Sequence, residues 1–263
     1  MNSRRTFASR ADPASGWNPL TLALFAGVWL AVLPNWPLWR ALLVLPETAS
    51  LRGGLFVAGF GAMIAALMTA LLALFAWRLS IKPVITLMLL AAAFGAHFMG
   101  SYGVVIDTTM MANVVQTDPR EVRDLLSWRM VVNVGVLAAL PLWLLWRAPL
   151  ARTRWWPQTA RNLLGFVAAL LVLAGLLFAL FADLSATMRN HRSMRYLINP
   201  ANSLYALVDL AAQSSALPAG PPLAIGLDAR IKPRAASSLP PLLLLVESDR
   251  PGDCPKCGMA LER

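Results

Sequence analysis

The chain has 263 residues, of which 58% are hydrophobic and only 14% are charged. A water-soluble core of this length needs less apolar surface, so lipid is the expected surroundings of most of the chain. The net charge of +10 does not imply a nucleic acid as partner, because the arginines cluster beside apolar segments, where membrane proteins carry their anchors.

Five apolar runs are each long enough, at about 20 residues, to cross a hydrocarbon layer about 30 Å thick as a helix. They cover residues 20–39, 53–77, 81–102, 128–146 and 163–182. We therefore predict an all-α membrane protein with five transmembrane helices. The first run is too long for a signal peptide and lacks a small-x-small cleavage site, so it is expected to be retained. In the fourth run, Arg129 and Asn133 enter the apolar stretch and Pro141 interrupts the helical hydrogen bonds. A neighbouring helix or a snorkelling arginine could relieve both.

Basic residues that flank the runs predict the orientation. With the N-terminus in the cytoplasm, nine lysines and arginines fall on the cytoplasmic side and four fall in the short outside loops. The nine are Arg4, Arg5, Arg10, Arg78, Lys82, Arg147, Arg152, Arg154 and Arg161, and the four are Arg40, Arg52, Arg120 and Arg123. Five crossings then place everything after Asp183 outside.

Residues 107–129, between the third and fourth runs, have apolar side chains at helical spacings and are predicted to lie along the membrane surface. Within this segment, Asp118, Pro119 and Glu121 form an N-cap, a first-turn proline and a capping-box carboxylate. A new helix therefore begins there, and we expect a bend near Thr117.

Residues 183–213 are predicted to continue the fifth helix outward, to break at Asn199-Pro200 and to begin a short amphipathic helix near Asn202. The first half of this segment is basic, and its arginines would lie near lipid phosphates. They are Arg189, Arg192 and Arg195. The proline-rich residues 217–241 that follow are predicted to be a linker.

Asn113, Thr117 and Glu121 are spaced at i, i+4 and i+8, so on a continuous helix they would form one polar stripe. An amide, a hydroxyl and a carboxylate could bind a polar lipid headgroup, with its phosphate on one side and its ammonium on the other. The alternative is a solvated face in which Glu121 only caps its own helix.

Two stretches resemble membrane-domain signatures of the bacterial phosphoethanolamine transferases that modify lipid A. They are "GSYGVVIDTTMMANVVQTDPREVRDLLS" and "RNHRSMRYLINPANSLYAL". The resemblance implies the bacterial inner membrane, phosphatidylethanolamine as donor lipid and a family role in polymyxin resistance, although this chain is expected to leave polymyxin susceptibility unchanged. It also implies that Asn113, Thr117 and Glu121 bind the donor.

The stretch "LPPLLLLVESDR" is similar to the first strand of that family's catalytic domain, and Glu247 matches a zinc-binding glutamate there. In the family, a threonine nucleophile and histidine ligands follow this strand. Here the last threonine is Thr187 and the last histidine is His191, both upstream of the linker. The resemblance therefore implies a transferase that is catalytically incomplete on this chain, without an assembled zinc site, unless a separate catalytic chain supplies the missing residues.

The final stretch, "DRPGDCPKCGMALER", resembles the second half of the heavy-metal-binding segments of bacterial copper and silver export proteins. Two thiolates with two residues between them can hold one soft metal ion, so Cys254, Cys257 and the thioether of Met259 are candidate ligands for copper or zinc. A disulfide or an unused thiol pair would fit the same spacing.

These patterns divide the chain into five predicted parts. They are a cytoplasmic segment (1–16), a five-helix membrane domain with periplasmic surface helices (17–216), a linker (217–241), a remnant of the first catalytic strand (242–250) and a metal-binding-like tail (251–263). The leading hypothesis is a transferase membrane domain that binds the donor lipid. The alternatives are a membrane-tethered soft-metal protein and a non-functional gene remnant, and the sequence does not indicate an oligomeric state.

Overall fold

The structure, a computed structural model, describes residues 16–118, 120, 123, 126–216, 252–253 and 260–261. The chain divides into two compact units, Met1–Ser215 and Ala216–Arg263. The helices are, in chain order, α1 (Pro19–Val32), α2 (Trp36–Leu43), α3 (Leu51–Ala73), α4 (Ile81–Tyr102), α5 (Thr108–Gln116), α6 (Trp128–Val134), α7 (Leu140–Arg147), α8 (Trp155–Ala179), α9 (Phe181–Asn190) and α10 (Ala201–Ala216).

Within the described part of the chain, four helical stretches are long and apolar enough to cross a membrane. They are Leu51–Ala73, Ile81–Tyr102, Trp128–Arg147 and Trp155–Ala179. The pair α1 and α2 supplies a fifth if it is one broken span, because the two helices pass the same test together. The predicted all-α membrane fold is confirmed.

The first apolar run is broken, whereas the sequence suggested one helix over residues 20–39. Helices α1 and α2 meet at 48°. The cause is Pro34, which lacks the N–H that would bond the carbonyl of Leu30 in a continuing helix. The Asn35 side chain replaces this donor, and its Nδ2 donates to the Leu30 oxygen at 2.8 Å.

The fourth run also contains a proline that leaves a helix carbonyl without a backbone donor, but here the helix continues. A single π-helical turn, Gly135–Ala139, joins α6 to α7. In an α-helix the carbonyl of Leu137 would accept from residue 141, which is a proline. The indole Nε1 of Trp29 on α1 donates to the Leu137 oxygen instead, at 3.2 Å. Of the two ways of relief that the sequence left open, the structure shows a neighbouring helix at Pro141.

Helix α3 lies at the centre of the bundle, with α1 and α8 packed against it. The close approach of α1 depends on Gly27, because a Cβ there would lie 2.9 Å from the backbone nitrogen of Thr69. Helix α4 packs against the α6–α7 stretch. At that contact His97 is buried, and its Nδ1 lies 3.1 Å from Asn133 Nδ2. His97 is thus a packed histidine.

Helix α8 has the reverse of the pattern found in a soluble helix. Most of its large apolar residues are exposed, and the buried residues of the helix are Gln158 and Asn162. Gln158 Nε2 donates to the carbonyl of Ala76 at 3.0 Å and to Asn162 Oδ1 at 2.9 Å. A helix with an apolar outer face and hydrogen-bonded polar residues inside is suited to lipid, where polar side chains need internal partners.

One end of the bundle carries the described residues among 33–52, 102–127 and 181–216, and we call it the outer end because the sequence places these segments outside. After α9, a 3₁₀ segment spans Arg192–Leu197 and α10 begins at Ala201. The predicted break is present, with a cis peptide at Asn199-Pro200. The 3₁₀ segment was not anticipated, because the helix was expected to run on to the break.

Asn199 fastens this segment to the bundle. Its backbone N–H donates to Asn35 Oδ1 at 2.8 Å, and Asn35 Nδ2 donates to its carbonyl at 2.6 Å. Its own Nδ2 donates to the carbonyls of Ala92 and Pro34, at 2.6 and 3.1 Å. Both asparagines have 0% of their surface exposed. We call this pair the asparagine clasp.

The second unit has two described strands, β1 (Gly252–Asp253) and β2 (Ala260–Leu261). They pair antiparallel, with Gly252 opposite Leu261 and Asp253 opposite Ala260. The candidate metal ligands Cys254, Cys257 and Met259 belong to the connection between the two strands and lie outside the described residues.

Candidate functional site

Helix α5 begins at the outer end through two local signals in the sequence. Gly103 ends α4 in the left-handed region, at φ 66°, where glycine is favoured. Asp107 then caps α5, and its Oδ1 accepts from the Met110 N–H at 2.8 Å. The chain therefore turns sharply out of α4 and lays α5 across the outer end.

The predicted polar stripe is only partly present. Asn113 is exposed on α5, but the helix ends at Gln116, and Thr117 has an extended backbone with ψ 132°. The expected bend near Thr117 is therefore confirmed, and it separates Thr117 from the helix that carries Asn113. The Thr117 hydroxyl still reaches back and donates to the Asn113 carbonyl at 2.6 Å. Glu121 lies outside the described residues.

Asp118 has the capping role that the sequence suggested. Its Oδ1 accepts from the backbone N–H of Arg120 at 2.8 Å, as an N-cap carboxylate does. The exposed Asn113 and the half-buried Thr117 thus stand beside the start of the next helical turn, on the outer surface.

A polar cavity of about 510 Å³ lies between α5 and α10, and we call it the α5–α10 cavity. The chemically informative residues in its wall are Asp107, Thr108, Tyr196, Asn202, Tyr205 and Asp209. Thr108 Oγ1 donates to Asp209 Oδ2 at 2.6 Å, and Gln213 Nε2 donates to the same oxygen at 2.9 Å. The buried Asn202 donates from Nδ2 to the carbonyl of Ile106. The cavity wall is thus held together by side-chain bonds from both sides.

Sequence reasoning did not single out Asp107, Asp209 or the two tyrosines. Asp107 carried a visible helix-cap signal, but the partners Thr108 and Asp209 are 101 positions apart, and no local pattern connects them. Asn113 and Thr117 are on the same segment as the cavity but are not among its lining residues.

The basic connection before α10 lies next to this cavity in the chain. Arg189, Arg192 and Arg195 are all exposed, as expected for groups that face lipid phosphates. The guanidinium of Arg195 lies over the Tyr196 ring, 4.6 Å from its centroid. Positive charge therefore stands directly beside a residue of the cavity wall.

A second, smaller cavity of about 160 Å³ lies between the start of α3 and α9, and we call it the α3–α9 cavity. Arg52 and Asp183 form an ion pair at its wall, with Nη2 and Oδ1 separated by 2.9 Å. The Arg52 side chain is 78% exposed and that of Asp183 33%, so water screens the pair. His191 and Glu47 also line this cavity.

The sequence predicts four metal ligands within residues 247–259. Glu247, Cys254, Cys257 and Met259 all lie outside the described residues. Among the residues that are described, no group of three or more histidine, cysteine, aspartate and glutamate side chains comes together to hold a metal ion.

Two family models match parts of this chain. The family model "Phosphoethanolamine transferase EptA/EptB" matches residues 64–215, which include α5, α10 and the cavity between them. The chain belongs to this family. A model of a heavy metal binding domain matches residues 246–263.

Curated phosphatidylethanolamine transferases are similar to this chain over part of its length. Phosphatidylethanolamine transferase Mcr-2 of Escherichia coli is 27% identical over 195 residues, which is 74% of this chain and 36% of that protein. Mcr-1 of Escherichia coli is 33% identical over 152 residues, 58% of this chain and 27% of that protein. The chain therefore spans about a third of the length of these relatives.

A solved structure of the EptA/EptB family has the same fold. It is the integral membrane protein lipooligosaccharide phosphoethanolamine transferase A from Neisseria meningitidis, with a TM-score of 0.69 and 19% identity. The match covers 74% of this chain and 37% of that one. The helices described above are those of an EptA-like membrane domain.

Proposed function

We propose that residues 17–216 bind phosphatidylethanolamine at the outer end, as the donor lipid for phosphoethanolamine transfer to lipid A. The family match over residues 64–215 and the names of the relatives Mcr-1 and Mcr-2 support this donor. In this proposal Asn113, Thr117 and Glu121 contact the headgroup.

The observation that carries the proposal is the exposed amide of Asn113, presented at the end of a surface helix. Its Nδ2 has two N–H donors that can bind phosphate oxygens. The Thr117 hydroxyl donates its proton to the Asn113 carbonyl, so its lone pairs are available to accept from a headgroup or from water. The two side chains therefore offer a donor and an acceptor side by side.

We further propose that the protein lies in the bacterial inner membrane with its N-terminus in the cytoplasm. The distribution of lysine and arginine supports this orientation. At the opposite end from the cavities, Lys82 Nζ donates to the carbonyls of Ala148 and Trp146, at 2.8 and 3.2 Å. A lysine that reaches loop carbonyls beside a tryptophan is typical of a helix end at a membrane interface.

This proposal assigns donor binding, and not the chemical step, to the described residues. Transfer of the phosphoryl group requires a nucleophile and the zinc that the family resemblance implies, where the metal would stabilise charge on the moving group. A separate catalytic chain is one proposed source of these groups.

Lipid binding by the full chain in nanodiscs tests the proposal. We expect phosphatidylethanolamine to bind, and the double variant Asn113→Ala/Glu121→Ala to weaken binding by about tenfold, since each loses a polar contact to a charged headgroup. Gln116→Ala is the matched control, because Gln116 is an exposed residue at the end of the same helix. Equal binding by the double variant and the control would remove these residues from the site.

A second candidate function is soft-metal binding by the tail, and the heavy metal binding match over residues 246–263 favours it. The pairing of β1 with β2 brings together the two ends of the connection that contains Cys254 and Cys257. Thiolate and thioether donors suit Cu(I), and paired thiolates also suit zinc. The donor set therefore fits a soft ion.

Metal content of the reduced full chain after loading with Cu(I) or Zn²⁺ tests this second function. We expect one ion per chain in the wild type and loss of that ion in Cys257→Ser. Lys256→Ala is the control, because it changes the residue beside Cys257 without removing a thiol. No retained metal in the wild type would refute this function and leave lipid binding untouched.

A further inference from the structure

We infer that the α5–α10 cavity binds the primary ammonium of the ethanolamine headgroup. This inference rests on the proposed donor function and deepens it, since it assigns a different part of the lipid to a different part of the protein. The Asn113 side would hold the phosphate ester, and the cavity would select the headgroup.

The chemistry of the wall favours a cation. Asp107 and Asp209 contribute two carboxylates, and Tyr196 and Tyr205 contribute two aromatic rings. Among the described residues that line the cavity there is no lysine or arginine. An ammonium has three N–H donors and no acceptor, so carboxylate oxygens complement it directly. Aromatic faces attract the same charge.

The carboxylate of Asp209 is held in place before any ligand arrives. Both Thr108 and Gln213 donate to its Oδ2, from α5 and from α10. Asp209 is half-buried, so its charge is less screened than that of an aspartate in open water. Asp107 is fixed in a similar way, because its Oδ1 caps α5. A carboxylate that is already ordered loses less entropy on binding a cation.

The surroundings of the cavity supply the opposite charge that a zwitterion needs. Arg195 lies over Tyr196, a residue of the wall, and Arg189 and Arg192 are exposed nearby in the chain. With the phosphate ester at Asn113 and the ammonium in the cavity, these exposed guanidinium groups would attract the anionic phosphates of the lipid surface toward the same end of the protein.

The α3–α9 cavity is a poorer place for the ammonium. It is smaller, about 160 Å³ against about 510 Å³. Its aspartate, Asp183, already has a cation as partner, because Arg52 Nη2 is 2.9 Å from its Oδ1. An incoming ammonium would have to compete with that guanidinium. The two cavities therefore provide an internal comparison for the test.

The test measures lipid preference in nanodiscs, as the ratio of affinities for phosphatidylethanolamine and phosphatidylglycerol. Phosphatidylglycerol keeps the phosphodiester and lacks the ammonium. We expect the wild type to prefer phosphatidylethanolamine, and Asp209→Asn to reduce this preference by about tenfold, mainly by weakening the phosphatidylethanolamine affinity. Asparagine can still accept from Thr108, so the variant removes the charge and keeps the shape.

Two control variants separate charge recognition from structure. Asp183→Asn neutralises a carboxylate in the other cavity and should leave the preference unchanged. Tyr205→Leu removes an aromatic ring that is 69% exposed, so it should fold normally and still reduce the preference. If Asp209→Asn fails to fold, Tyr205→Leu decides the question.

The outcomes distinguish this inference from the function on which it rests. An unchanged preference in both Asp209→Asn and Tyr205→Leu, with phosphatidylethanolamine still bound and still sensitive to Asn113→Ala, would overturn the ammonium site alone. Equal weakening of both lipids in Asp209→Asn would show that the residue only holds α5 to α10. No phosphatidylethanolamine binding by the wild type would refute the proposed function itself.

Discussion

Polar side chains occupy two regions at the outer end, and their surroundings differ. In the asparagine clasp, Asn35 and Asn199 are wholly buried and bond to backbone groups. On the surface above, Asn113 is exposed and Asp209 is half-buried beside a cavity. The same amide group therefore stabilises the fold in one region and is available to a ligand in the other. Burial, and not residue type, distinguishes the two.

The largest expected effect comes from breaking the clasp with Asn35→Leu. The change leaves the carbonyls of Leu30 and Asn199 and the Asn199 N–H without their partner, each buried away from water. We expect the free energy of unfolding to fall by about 3–5 kcal/mol, since each such group costs about 1–3 kcal/mol. Unfolding in mixed detergent measures it. Asn113→Leu, on the exposed side of the comparison, should change stability by less than about 0.5 kcal/mol.

A smaller effect is expected from Gly95→Ala, which crowds the clasp without removing a bond. A Cβ at Gly95 would lie 2.6 Å from Asn199 Oδ1. We expect a loss of about 1–3 kcal/mol from overpacking. The double variant with Asn199→Ala should lose less than the sum of the two single changes, because the obstructing oxygen is gone. Strict additivity would show that the two residues do not share this contact.

Trp29→Phe tests the other hydrogen bond that replaces a proline donor. The variant keeps an aromatic ring and leaves the Leu137 carbonyl without the indole N–H, 3.2 Å away in the wild type. We expect a loss of about 1–2 kcal/mol, measured by the same unfolding assay. Trp156→Phe, an exposed tryptophan on α8, is the matched control. If Trp29→Phe were as stable as the wild type, the Leu137 carbonyl would not need the indole N–H as its donor.

The smallest effect is expected for the exposed ion pair between Arg52 and Asp183. Arg52→Gln should lower the free energy of unfolding by about 0.2–1 kcal/mol, because solvent screens a pair this exposed. The difference between wild type and variant should shrink as ionic strength rises. A loss of stability that persists in high salt would contradict this prediction and would show that the ion pair is not screened by solvent.

Hydropathy was sufficient to predict the all-α membrane fold, because every long apolar run must form a helix in lipid. It could not predict the break in the first run, although Pro34 was visible, because a proline in a membrane helix can be tolerated or can end the helix. The outcome depends on a donor such as Asn35, whose second partner, Asn199, is 164 positions away. Long-range partners of this kind leave no local pattern.

The candidate site shows the same limit. The bend at Thr117 followed from local capping signals and was predicted, and Asp118 caps as expected. The cavity depends on Thr108 meeting Asp209, so it required the structure. The roles of Asn113, Thr117 and Glu121, the tail ligands and the domain boundaries stay predictions.

The asparagine clasp also fixes the position of the α5–α10 cavity along the membrane normal. Asn199 ties the start of α10 to the bend between α1 and α2, and Asn202, three residues later, ties it to the connection that leads into α5. Hydrogen bonds thus connect both walls of the cavity to the ends of membrane helices. The depth in the membrane at which a headgroup would be held is therefore set by where those helices end.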